Sequence, residues 1–149
     1  MTSDPFYKDL NPISFLDRSA HVYPDKPALI YGDITYTYQD FYNRVNKLAG
    51  ALQKEGIKKG DRVGFLVPNI PAMFEGHYGP LKIGAVLVAI NTRLSAREVS
   101  YILNHSGAKI LVFDSEYAEL INQIKNELPK ITRFVQVADT FPKSTLVEG

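Results

Sequence analysis

The sequence predicts an α/β protein with a three-layer fold: a mostly parallel sheet with helices on both faces, preceded by a short β-hairpin. Three observations carry that expectation. Apolar runs without polar alternation, VGFLV within Asp61–Val67, Ala85–Ile90 and the core of Lys109–Phe113, read as strands covered on both faces, as parallel strands between helices are. The segments between them place apolar side chains at helical spacing. From Asp61 onward the order is strand, helix, strand, helix, strand, helix, strand with short loops, and right-handed crossovers turn that order into a parallel sheet.

Taken in order, Met1 to Pro12 is a polar arm carrying Pro5, Phe6 and Tyr7, too irregular to be an element. Ile13, Leu16, Ala20 and Tyr23 follow at helical spacing, and Pro24 ends that helix. Ala28–Tyr31 and Ile34–Tyr38 flank Gly32-Asp33, a hairpin turn in the reverse of the favoured Asp-Gly order. Thr37 through Asp40 can form a capping box, with Asp40 in place of the usual Glu. Behind it Phe41, Val45, Leu48 and Leu52 mark one face of a helix that Gly56 stops. After the Asp61–Val67 strand, Pro71 opens a helix expected to run to Ile83, although Gly76, Gly79 and Pro80 lie inside it and Pro80 should kink it. Gly84 can close that helix in the left-handed conformation, and Ala85–Ile90 is the next strand.

Ser95-Ala96-Arg97-Glu98 reads as a second capping box, opening a helix to His105 with Val99, Ile102 and Leu103 inward and Gly107 as its stop. Lys109–Phe113 is a strand. Glu116–Leu128 is a helix with Leu120, Ile121, Ile124 and Leu128 on one face, ended by Pro129, and Arg133–Val137 is the last strand. From Asp139 to Gly149 there is no pattern, as at a frayed end.

Composition narrows the function classes. Basic and acidic residues number 17 and 16, so no electrostatic footprint for nucleic acid or an anionic membrane is present. The densest basic cluster, Lys54, Lys58, Lys59 and Arg62, reads as a solvated face. The absence of cysteine removes disulfides, thiolate metal sites and cysteine nucleophiles together. A reducing cytoplasm is the expected compartment, at most at a membrane periphery, because the longest apolar run, Ile83–Ile90, falls far short of the ~20 residues of a membrane helix.

His21, His77 and His105 lie on separate helices without metal-ligand spacing, and neither G-x-x-x-x-G-K-[ST] nor G-x-G-x-x-G occurs. The Asn104-His105-Ser106 triplet is read as a chance glycosylation match. No catalytic residue and no metal ligand is assigned. One ligand position remains. Open parallel sheets bind ligands beyond the carboxyl ends of their strands, where Asn91–Ser95 is placed. There Arg93 and Arg97 flank a helix start that favours anions. From the residues alone, Arg93 can equally be a carboxylate's partner or a solvated side chain.

Two segments resemble a known family. Thr35-Tyr36-Thr37-Tyr38-Gln39-Asp40-Phe41 is similar to the first core motif of adenylate-forming enzymes, L-[TS]-Y-x-E-L. Leu81–Asn91, LKIGAVLVAIN, resembles the second, L-K-A-G-x-x-x-V-P-L, with Ala89 and Ile90 in place of P-L. With the sequence around them, from about Pro12 to Val137, they resemble the amino-terminal part of the AMP-forming acyl-CoA synthetases.

The resemblance implies an enzyme that activates a carboxylic acid, fatty acids first, with ATP and Mg2+ to an acyl-adenylate and then forms a thioester with coenzyme A. It also implies a piece of that enzyme: residues 1–27 as arm and helix, and 28–149 as a truncated α/β part of the adenylation domain. The family's phosphate loop, Y-T-S-G-[ST]-T-G-x-P-K-G, has no counterpart here. The later adenine and ribose motifs and the lysine of the mobile carboxy-terminal domain are missing too, so this chain alone is expected to be inert and to bind none of the cofactors tightly. Its implied partners are the acid and the remainder of its own polypeptide, with a homo-oligomer allowed and neither nucleic acid nor a transmembrane segment expected. The N-x-R-L segment, Asn91–Leu94, lies near the nucleotide end of coenzyme A in some family members, which makes Arg93 a candidate phosphate contact. Tyr36, Tyr38, Phe41 and Gly84 are read as scaffold.

Other readings are an adenylating enzyme serving a different acceptor, such as a carrier protein, and a non-catalytic α/β interaction module. A receiver or flavodoxin module lacks support, since Val67-Pro68-Asn69 offers neither an acidic pair nor a Ser/Thr/Gly loop after the first parallel strand.

Overall fold

A computed structural model describes residues 11–138. The expected arm, up to residue 10, and the patternless tail from Asp139 lie outside the described residues. Helix α1 (Pro12–Val22) starts behind Asn11, whose Oδ1 accepts the Ser14 N–H at 2.9 Å, and α1 ends ahead of Pro24. Strands β1 (Pro27–Tyr31) and β2 (Ile34–Thr37) pair antiparallel as the expected hairpin. Gly32 has a φ of 55° while Asp33 does not turn left-handed. The first turn position alone needs a positive φ, so Gly-Asp is the fitting order.

Helix α2 (Tyr38–Lys54) opens on the capping box: the Asp40 N–H donates to Thr37 Oγ1 at 3.1 Å, and Asp40 Oδ2 accepts the Thr37 N–H at 3.0 Å. Phe41, Val45, Ala49 and Leu52 are buried on one face. Leu16 of α1 packs with Phe41 and Val45.

Four parallel strands, β3 (Arg62–Leu66), β4 (Val86–Ala89), β5 (Ile110–Asp114) and β6 (Arg133–Val137), form a sheet in the order β4-β3-β5-β6. Strand pleating sends alternate side chains to opposite faces. Val63, Phe65, Ile110 and Val112 join Leu52 and Ile57 on one side. Leu66, Leu111 and Phe113 meet Val99, Leu103, Ile121 and Ile124 on the other. The core is thus divided by the sheet into two clusters, the three-layer arrangement that the apolar runs predict.

Three expectations are corrected. Ala85–Ile90 is not covered on both faces: among the described residues β4 is an edge strand that pairs with β3 alone, and Val86 is 48% exposed. An apolar run reports burial propensity, not position in the sheet. The helix expected over Pro71–Ile83 breaks into α3 (Pro71–Gly76) and α4 (Gly79–Lys82). Pro80 has no N–H to offer Gly76, and two close approaches fix the break: a Cβ on Gly76 would stand 2.6 Å from Phe65 Cε1, and one on Gly79 would stand 2.5 Å from Leu48 Cδ2. Finally, the helix expected over Glu116–Leu128 is α-helical only as α6 (Ala118–Ile124), between 3-10 turns at Ser115–Tyr117 and Lys125–Glu127. Asp114 Oδ1 accepts the Glu116 N–H at 2.9 Å and tightens the first turn, while Pro129 disfavours α geometry at Leu128.

Helix α5 (Ala96–Ser106) ends at Gly107, whose φ is 65°. The Arg62 guanidinium donates to the carbonyls of Ser106 (2.6 Å) and Gly107 (3.0 Å), acceptors that the helix end leaves free, and to that of Gly60 (3.1 Å) in the loop before β3. Gly84, with a φ of 73°, closes α4 as expected.

Candidate functional site

Because β3, β4, β5 and β6 are parallel, their carboxyl ends open onto one edge, which carries Asn69, Asn91–Ser95, Asp114 and Ala138. The chain leaves β3 for α3 on one face of the sheet, whereas it leaves β4 and β5 for α5 and α6 on the other, the topology at which open α/β sheets form a crevice. The structure therefore places Arg93 on the edge where the sequence puts it.

The Arg93 segment is held by local hydrogen bonds. Asn91 Oδ1 accepts the Arg93 N–H at 2.9 Å, closing a turn of the kind Asn side chains favour. Glu98 Oε2 accepts the Ser95 N–H at 2.8 Å and the Ser95 hydroxyl at 2.7 Å, and the Glu98 N–H returns to Ser95 Oγ at 3.4 Å. The Ser95 hydroxyl, and then the Ser95 backbone N–H, hold the Glu98 carboxyl below its ordinary value. The cap fixes where α5 begins, and with it the positions of Arg93 and Arg97. Both arginines are exposed, and neither guanidinium has a hydrogen bond or ion pair among the described residues. Of the two readings open for Arg93, pairing with a carboxylate of the described residues is excluded. A free guanidinium on a fixed turn matches a phosphate's oxygens bidentately.

The remaining sequence-stretch assignments divide. Lys54, Lys58 and Lys59 are solvated, whereas Arg62 is the α5 cap. His77 is exposed, its Nδ1–H donating to the Met73 carbonyl at 2.8 Å, and His21 and His105 are exposed as well. Asn104 uses its side chain to donate to the Glu127 carbonyl at 2.9 Å. Tyr36 lies under the Arg44 guanidinium at 5.0 Å, and Phe41 stacks on Phe74 at 4.6 Å, both scaffold contacts. No group of three His, Cys, Asp or Glu that could hold a metal occurs among the described residues.

Two features escaped the sequence reading. Asp114, 4% exposed at the carboxyl end of β5, has an Oδ2 with no partner among the described residues. Its sequence signal was an acid closing an apolar strand. A cavity of about 300 Å3 lies between the hairpin and α3, with the Arg44–Glu75 ion pair on its wall. Nothing in linear spacing connects those residues.

Comparison with known proteins follows the same lines. A family model described as "AMP-binding enzyme" matches residues 16–148. Butyrate–CoA ligase AAE11 of Arabidopsis thaliana, a protein named as peroxisomal, is 42% identical over 120 residues, covering 80% of this chain and 21% of that protein. 4-Hydroxybutyrate–CoA ligase 2 of Metallosphaera sedula is 38% identical, covering 83% of this chain and 22% of that protein. Among solved structures, the N-terminal domain of FACL13 from Mycobacterium tuberculosis superposes with a TM-score of 0.81 at 35% identity, over 86% of this chain and 34% of that one. The anthranilate CoA ligase AuaEII in complex with anthranoyl-AMP gives 0.83 at 31% identity, over 86% of this chain and 25% of that one. The chain thus spans about a fifth of the length of the curated relatives it matches. With the parallel sheet, the hairpin before it and a match over nearly its whole length, this chain belongs to the AMP-binding enzyme family.

Proposed function

We propose that the chain is the amino-terminal scaffold of an ATP-dependent, AMP-forming ligase that joins a carboxylic acid, of the fatty acid class, to coenzyme A. The observation that carries this reading is Arg93, exposed and without a partner among the described residues on the carboxyl edge of the sheet, in a chain whose similar proteins are named CoA ligases. A carboxylate is a poor electrophile, and ATP with Mg2+ supplies the phosphate ester that becomes its leaving group. The contribution of this chain is binding and position. The Asn91 turn and the Ser95–Glu98 cap fix the guanidinium of Arg93, which takes a phosphate at the nucleotide end of coenzyme A. The acid, the nucleotide and the metal are held by the remainder of the polypeptide, and the chain by itself is inert.

The test uses the parent enzyme. Acid-dependent pyrophosphate release is measured over a panel containing butyrate, palmitate and benzoate, and thioester formation is measured with coenzyme A. Arg93→Ala should weaken use of coenzyme A and spare pyrophosphate release. Unchanged thioester kinetics would remove Arg93 from the site. Acid-dependent pyrophosphate release by the isolated 149-residue chain would refute its inertness.

A further inference from the structure

Opposite the edge that carries Arg93, the amino edge of the sheet gathers cations from distant parts of the chain. Parallel strands bring their first residues together, so Arg62, Lys109 and Arg133 lie side by side at the starts of β3, β5 and β6. The loop before β3 adds Lys58, whose N–H donates to Asp61 Oδ2 at 2.9 Å, and Lys59, whose stem lies against Gly84. Lys54 arrives with the end of α2, which Glu55 ties to Arg133 through hydrogen bonds of 2.9 and 3.0 Å. Lys130, in the turn before β6, lies beside Arg62 at Gly107.

The two acids among these residues are already committed, Glu55 to Arg133 and Asp61 to the Lys109 ammonium at 2.7 Å. Arg62 spends its guanidinium on carbonyls, which leave its charge in place. The ammonium groups of Lys54, Lys58, Lys59 and Lys130 are exposed and have no partner among the described residues. Nearby helix ends add charges of both signs, Lys125 with Glu127 and Lys82 paired to Asp17 at 3.0 Å. Seven cations thus face two acids at this edge, although the whole chain has a net charge of only +1, which is why composition conceals the surplus. Cations offset the dipole at a helix C-terminus, which accounts for Lys54 but not for Lys58, Lys59 and Lys130, all in loops.

The shape of this surface limits what it fits. It is the end of a sheet four strands wide, about 14 Å across at about 4.8 Å per strand, with helices on either side. The cavities against the hairpin, α1, α3 and α5 lie elsewhere. A broad cationic face without a groove complements a plane of negative charge, and Val86, 48% exposed at the start of β4, adds an apolar contact to it.

We propose that the amino edge of the sheet is a docking surface for an anionic lipid bilayer, with Lys54, Lys58, Lys59 and Lys130 meeting the headgroups. The choice of a lipid surface rests on the reading of the substrate as an acid of the fatty acid class, which partitions into bilayers. Docking by this edge leaves the carboxyl edge, with Arg93, turned to the water from which coenzyme A and ATP arrive.

The test needs no turnover. The 149-residue chain and the parent enzyme are each sedimented with vesicles of phosphatidylcholine, with and without phosphatidylserine, and titrated separately with polyglutamate. Both proteins should bind the vesicles that contain phosphatidylserine and ignore those that lack it. Binding should fade as salt shortens the screening length from about 10 Å at 0.1 M to about 3 Å at 1 M. Each lysine at an anionic surface is worth about fivefold in partition, so the triple variant Lys54→Ala, Lys58→Ala, Lys59→Ala should bind about a hundredfold more weakly. A second triple variant of equal net charge, Arg18→Ala, Lys26→Ala, Lys47→Ala, removes exposed cations away from this edge and should bind as the wild type does. Urea midpoints check that both variants fold. Equal weakening in the two variants, or binding by the chain but not by the parent, overturns the docking surface. Binding to polyglutamate without binding to vesicles also overturns it and assigns the edge to an acidic protein. If the parent releases no pyrophosphate in response to acids, the ligase reading fails, while vesicle binding, which involves no reaction, still decides the docking surface.

Discussion

The two glycines that break the helix after β3 allow a sharp test of the packing. In Gly76→Ala, the new methyl group would lie 2.6, 2.8 and 3.1 Å from Cε1, Cδ1 and Cζ of Phe65. Carbon atoms in contact sit about 3.5–4.0 Å apart, so the ring has to retreat by about 1 Å. Phe65 is 1% exposed and lies in the cluster that holds Val63, Val67, Ile110 and Val112, which leaves it nowhere to go. Overpacking of this kind costs about 1–3 kcal/mol, and replacing Gly by Ala in a helix returns at most about 1 kcal/mol. With the full offset the net expectation is a loss of up to about 2 kcal/mol. Gly50→Ala, in the middle of α2, meets nothing within 4 Å and should stabilise by about 0.4–1 kcal/mol. Urea unfolding of the 149-residue chain and of both variants measures the difference. The same chemical change should move the midpoint down at Gly76 and up at Gly50. A Gly76→Ala protein at least as stable as the wild type would refute the claim that the break between α3 and α4 is set by contact with β3.

Arg62→Ala should cost about 1–3 kcal/mol in the same assay, because it leaves the carbonyls of Ser106 and Gly107 without their charged donor; a change within about 0.5 kcal/mol, the range of ordinary surface substitutions, would show that water replaces it. The capping carboxylates set an acid limit. Hydrogen bonds from Thr37 and from Ser95 lower the pKa values of Asp40 and Glu98 in the folded chain. The stability they add is fully present above the unfolded values, about 4, and is lost as pH falls through the folded ones. The double variant Asp40→Asn, Glu98→Gln should therefore lose less stability than the wild type between pH 6 and pH 3, measured by urea midpoints. An identical loss in both proteins would assign the acid sensitivity to other carboxylates, of which Asp61, lowered by Lys109, is the first to examine.

The features of this protein that the sequence determined by itself are those whose causes lie within a turn or two of chain. Thr37 and Asp40, or Ser95 and Glu98, can close a capping box only on each other. The buried stripe of α2 follows from its period, and the left-handed residues at the ends of α4 and α5 are glycines because other side chains strain there. The position of Arg93 beyond a parallel strand was legible for the same reason: strand, turn and cap are consecutive. What only the tertiary structure decided depends on residues far apart in the chain. Arg62 reads as one of a basic cluster until the fold sets it against Ser106, 44 positions away. Whether β4 lies at the centre or the edge depends on which strands pair with β3, and an apolar composition is silent on pairing.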